Sequence, residues 1–77
     1  MRKDAPNFVK EVLPHSTVGP DRVREVAASL EGAPLPSLNK AMIRDMGVPP
    51  ETALDLTVQF YENPPEIDPF FDIGGEG

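Results

Sequence analysis

The stretch Gly19-Pro20-Asp21-Arg22-Val23-Arg24-Glu25-Val26-Ala27-Ala28-Ser29-Leu30-Glu31-Gly32 decides the fold class of this chain. Pro20 stands where a helix starts, a position whose N–H would have no intrahelical partner in any case. Asp21 places a negative charge at the positive end of the helix dipole, and Gly32 supplies a terminator. Between them Val23, Val26, Ala27 and Leu30 recur at i, i+3, i+4 and i+7, while Arg22, Arg24, Glu25 and Ser29 face away. The strict alternation of a half-buried strand is weak throughout the chain.

Toward the N-terminus, the pattern predicts a helix from Ala5 to Leu13, capped by Asp4, tolerant of Pro6 in its first turn and stopped by Pro14. Phe8, Val9, Val12 and Leu13 form its apolar side. Toward the C-terminus, Ala33-Pro34-Leu35-Pro36 reads as an extended connector, because a residue before proline is disfavoured in the helical region. Ser37 is then expected to cap a third helix running to about Met46, with Gly47 at its end. Leu38, Ala41, Met42 and Met46 make its stripe, and Ile43 widens it.

Pro50 and Glu51 open a fourth helix that extends to about Glu62. Its apolar arc is broad: Ala53, Leu54, Leu56, Val58, Phe60 and Tyr61, against a polar face of Thr52, Asp55, Gln59 and Glu62. Such a helix either sits at the centre of a bundle or shows part of its surface to a partner. Asn63-Pro64-Pro65-Glu66 then breaks the helix, and Gly74-Gly75-Glu76-Gly77 offers nothing to pack. The expectation is an all-α fold: a small bundle of four short helices in a domain spanning residues 1–62. Residues 63–77 are expected to form an acidic, aromatic C-terminal tail that is mobile alone.

A chain of 77 residues holds one small domain, and 39% hydrophobic with 26% charged residues is ordinary globular composition. A core of this size rarely contributes more than about 3–5 kcal/mol net, so association with a copy or a partner is a natural further source of stability. There is no cysteine and one histidine, which removes disulfides, thiolate catalysis and cysteine-based zinc sites. Met1-Arg2-Lys3-Asp4-Ala5-Pro6 lacks the apolar stretch of a secretory signal, and no apolar run is long enough for a bilayer. The expected location is cytoplasmic.

Charge is distributed unevenly. All seven basic residues lie between Arg2 and Arg44, where five acids leave a balance of +2. From Asp45 onward eight acids and no base give −8, and the whole chain carries −6. An acidic half of this kind repels nucleic acid and anionic membranes and steers toward basic surfaces.

Enzyme signatures are missing. A nucleophilic triad would need His15; Ser16 is adjacent to it, but adjacency does not create base–nucleophile geometry, and no third member is suggested. Asp68 and Asp72 flank Pro69-Phe70-Phe71, which is not the alternating oxygen-ligand pattern of a calcium loop. Gly74-Gly75 is followed by neither a helix nor a lysine, so no phosphate-cradling loop is present. No catalytic residue, cofactor or metal is expected.

The most distinctive local feature is Glu66-Ile67-Asp68-Pro69-Phe70-Phe71-Asp72-Ile73, which interleaves large apolar residues with carboxylates. Such segments serve as docking motifs, the apolar residues entering a groove while carboxylates meet a basic rim. Alternatively the segment folds back, and Phe70 and Phe71 complete the core. The sequence therefore points to a non-catalytic protein-binding module, a small regulator, adaptor or accessory subunit. Leu56, Phe60 and Tyr61 of the fourth helix, with Ile67, Phe70 and Phe71 of the tail, would fill a partner's basic-rimmed apolar groove. Glu62, Glu66, Asp68 and Asp72 would steer the encounter. One alternative is a helix-turn-helix DNA-binding regulator or antitoxin-like protein, built on the third and fourth helices. Its reading helix would present Glu51, Asp55 and Glu62 to phosphates, which argues against nucleic acid. A structural subunit of a homo-oligomer is the remaining reading.

Overall fold

The computed structural model describes residues 5–69 and contains four α-helices: α1 (Phe8–Val12), α2 (Pro20–Ala28), α3 (Leu35–Arg44) and α4 (Pro50–Glu62). A 3₁₀ turn, Leu13–His15, continues α1. Among the described residues there is no strand beyond a single bridge between Asn7 and Glu66. The all-α expectation is borne out.

Each apolar stripe contributes to one core. Phe8, Val9 and Val12 come from α1, Val23, Val26 and Ala27 from α2, and Leu38, Ala41 and Met42 from α3. Ala53, Leu56 and Phe60 come from α4, and the connecting residues Leu30, Met46 and Val48 fill the remaining space. At the centre the rings of Phe8 and Phe60 lie 5.7 Å apart at 53°, a tilted aromatic pair joining the two ends of the described chain.

α3 and α4 run antiparallel. Asn39 Nδ2 donates to Thr57 Oγ1 at 3.0 Å, and that hydroxyl donates in turn to the carbonyl of Ala53 at 2.7 Å. This lock fixes the register of the two helices and leaves Leu35 and Leu38 of α3 near Phe60 and Tyr61 of α4.

Two helix starts differ from the sequence expectation. α1 begins at Phe8 rather than Ala5, and its cap is Asn7, whose Oδ1 accepts from the Lys10 amide at 3.0 Å. Asp4 lies outside the described residues. The later start has a physical cause: the Pro6 carbonyl accepts from the Glu66 amide and the Phe8 amide donates to the Glu66 carbonyl, both at 2.8 Å, so residues 6–8 are engaged in an extended pairing. α3 begins at Leu35 with Pro34 as its cap residue, not at Ser37. Pro36 is compatible with this because it falls in the first turn, where a missing N–H forfeits no helical bond. α3 ends at Arg44, while Met46 is fully buried in the turn that follows.

The chain leaves the helical bundle at Asn63, as expected, but the first residues beyond are laid down rather than loose. Glu66 is hydrogen-bonded on both sides of its backbone to residues 6–8, and Ile67 packs against the core. The expectation for residues 70–77 lies outside the described residues.

Candidate functional site

Among the described residues, the outward face of α4 carries the exposed large apolar side chains. At about 100° per residue, Ala53, Leu56 and Phe60 share one side of the helix, and Leu54, Val58 and Tyr61 share another. The first set is buried to within 4% exposure. The second set is exposed by 59% at Leu54, 50% at Val58 and 76% at Tyr61, and these are the exposed large hydrophobics among the described residues. Their i, i+4, i+7 spacing makes a continuous stripe, bordered along the helix by exposed Glu51, Asp55 and Glu62.

The stripe corrects the sequence assignment at two residues. Leu56 and Phe60 cannot enter a partner's groove, because they form the core of this chain at 4% and 1% exposure. Tyr61 and Glu62 are exposed. Glu66 and Asp68 are exposed and Ile67 is half-buried. Phe70, Phe71 and Asp72 lie outside the described residues. Sequence reasoning missed Leu54 and Val58 as surface residues, although their spacing with Tyr61 was the available signal.

At its C-terminal end the stripe runs into an open apolar groove of about 550 Å³. Phe60 and Leu38 lie buried at its floor, Leu35 and Ile67 form half-buried walls, and Tyr61 and Pro64 stand exposed at the rim. Its charged lining residues are Glu31 and Glu66, both exposed, and no lysine or arginine lines it. The groove exists because three departures from helix meet there: the turn ending at Gly32, the Pro34 start of α3, and the Pro64-Pro65 arm after α4.

Little in the described residues resembles a reaction centre. His15 is exposed at the end of the 3₁₀ turn, and Ser16 spends its hydroxyl on the carbonyls of Leu13 and Val18, at 3.2 and 3.0 Å. Among the described residues no group of three or more acidic, histidine or cysteine side chains is placed to hold a metal ion. No helix among them is long and apolar enough to cross a membrane.

The geometry of α3, its turn and α4 also bears on nucleic-acid recognition. The outward face of α4, which would have to meet DNA, carries three carboxylates and three large apolar side chains. The exposed bases among the described residues, Lys10, Arg22, Lys40 and Arg44, lie on α1, α2 and α3.

No family model, no curated protein and no solved structure matches the chain.

Proposed function

We propose that this chain is a non-catalytic protein-binding module, a small cytoplasmic regulator, adaptor or accessory subunit, that docks through the outward face of α4. The observation that carries the reading is the exposed stripe Leu54, Val58 and Tyr61 beside Glu51, Asp55 and Glu62. Aligned large apolar side chains on a soluble helix incur an unfavourable contact with water that a partner relieves. The neighbouring carboxylates add long-range attraction for a basic rim and discourage wrong partners. In this reading the acidic sequence from Glu66 to Asp72 takes part in docking too, with Phe70 and Phe71 as further anchors.

The test is a comparison of proteins captured from the source cell's lysate by the full chain and by two variants. Leu54→Gln with Val58→Gln and Tyr61→Gln is expected to lose the partner while helicity by circular dichroism is nearly unchanged. Phe70→Ala with Phe71→Ala is expected to lose it too, again with the fold intact. Recovery of the same proteins by the triple variant would overturn docking through α4. Unfolding of the Phe70/Phe71 variant would show that those rings complete the core rather than the interface.

A further inference from the structure

The apolar groove at the end of the α3–α4 hairpin is a surface that can receive a side chain, not merely present one. We infer that it takes an apolar anchor residue from a cationic segment of a different protein, with lysine or arginine flanking the anchor. This inference deepens the docking proposal and rests on it, since Tyr61 belongs to both the stripe and the groove.

Shape comes first. A volume of about 550 Å³ lies within the about 300–1,000 Å³ of sites that engulf ligand groups. Its floor of Phe60 and Leu38 and its walls of Leu35 and Ile67 offer dispersion contacts to a large apolar side chain.

Charge then selects the occupant. Glu31 and Glu66 line the groove without a basic residue beside them in the lining, and Glu62 lies one residue beyond Tyr61. The chain's own residues 70–77 bring Phe70, Phe71 and Ile73, but also Asp72 and Glu76 and no base, so like charges would face one another. A second copy fits no better. Among the described residues its exposed bases, Lys10, Arg22, Lys40 and Arg44, lie on α1, α2 and α3, whereas its exposed large hydrophobics are all on α4 among acids. Among the described residues, then, no helix of a copy exposes both a base and a large apolar side chain. A foreign segment that carries both meets the groove and its rim together.

The experiment uses the full chain, uniformly labelled for amide NMR, and two synthetic peptides of about 15 residues, long enough for a marginal helix. One carries leucine, tryptophan and lysine in amphipathic register; the other replaces each lysine by glutamate. The lysine peptide is expected to shift the amides of Ala33, Leu35, Tyr61 and Ile67. Its affinity is expected to weaken about tenfold when salt rises from about 0.05 to about 0.3 M, as screening demands. Glu31→Lys with Glu66→Lys is expected to weaken it by a similar factor, without changing helicity. Equal binding of the glutamate peptide would overturn the charge selection. Shifts confined to residues 51–58 would overturn the groove while leaving docking through α4 standing. Groove amides that move when Phe70→Ala and Phe71→Ala are introduced, with no peptide present, would identify the chain's own tail as occupant. A peptide-free dimer with these amides protected would identify a second copy. Either of those last results overturns the inference.

Discussion

Thr17 closes over Gly47. Its amide donates to the Met46 carbonyl at 3.0 Å and its hydroxyl donates to the Gly47 carbonyl at 3.3 Å, across 30 residues of sequence. Gly47 has φ +70°, a left-handed conformation that side chains resist, and a Cβ built there would collide with Thr17 Oγ1. This pair fixes the loop before α2 against the turn before α4. Gly47→Ala should therefore incur both a backbone cost of about 1–2 kcal/mol and the displacement of Thr17. Gly32 offers the control: its φ is +81°, but no atom lies within 4 Å of the added carbon. Urea unfolding should show Gly47→Ala more destabilised than Gly32→Ala by at least about 1 kcal/mol, the worth of a disrupted hydrogen bond. Equal losses would mean that Thr17 yields without resistance.

Phe60 and Tyr61 are neighbours in sequence with opposite duties. Phe60 is 1% exposed and stacks near Phe8, whereas Tyr61 is 76% exposed. Truncating a buried phenylalanine costs about 3–5 kcal/mol, comparable with the whole net stability expected of so small a core. Phe60→Ala should leave little folded protein at room temperature. Tyr61→Ala should change stability by no more than about 0.5 kcal/mol, like other surface substitutions. Thermal melts of the two variants settle the point; a large loss in Tyr61→Ala would place its ring in the core.

Much of this architecture is legible in the residues. The stripes Val23-Val26-Ala27-Leu30 and Leu38-Ala41-Met42-Met46 are buried as their spacing requires. Periodicity failed on α4 for a geometric reason: its apolar arc holds two equally regular triplets, more than a third of a turn apart by helical geometry. A core this small has room for one of them. Which triplet is buried is decided by the Asn39–Thr57 lock and by Phe8, contacts distant in sequence. The Asn7–Glu66 pairing is invisible to any local pattern, since a single bridge has no period. Pro36 misled because proline punctuates strongly, yet in a first turn it interrupts nothing.

That pairing makes its own prediction. Glu66 engages through backbone, so Glu66→Ala should be nearly silent, whereas Glu66→Pro removes the donor to Pro6 and should weaken the arm's attachment. Loss of one such bond is worth about 0.5–1.5 kcal/mol. Amide hydrogen exchange reads it directly: the Phe8 amide, which donates to the Glu66 carbonyl, should exchange markedly faster in Glu66→Pro than in the parent. Unchanged protection would mean that the core contact of Ile67 holds the arm by itself.

Nucleic acid offers the sharpest contrast among the remaining readings. A reading helix gains affinity by donating to phosphates, and non-specific binding is almost wholly electrostatic. α4 instead exposes Glu51, Asp55 and Glu62, and the chain has no base after Arg44. Non-specific DNA binders typically reach dissociation constants of about 10⁻⁴–10⁻⁶ M at physiological salt and tighter below it. Random duplex DNA at low salt should therefore run unretarded with about 10 µM protein, ample for an ordinary binder of that class. Replacing Glu51 and Asp55 by lysine tests whether charge alone stands in the way. Retardation only in that variant would show that the carboxylates of α4 are the barrier to phosphates in the parent chain. Retardation by the parent chain would instead place bases from the first 44 residues on the phosphates and leave α4 free to face a protein.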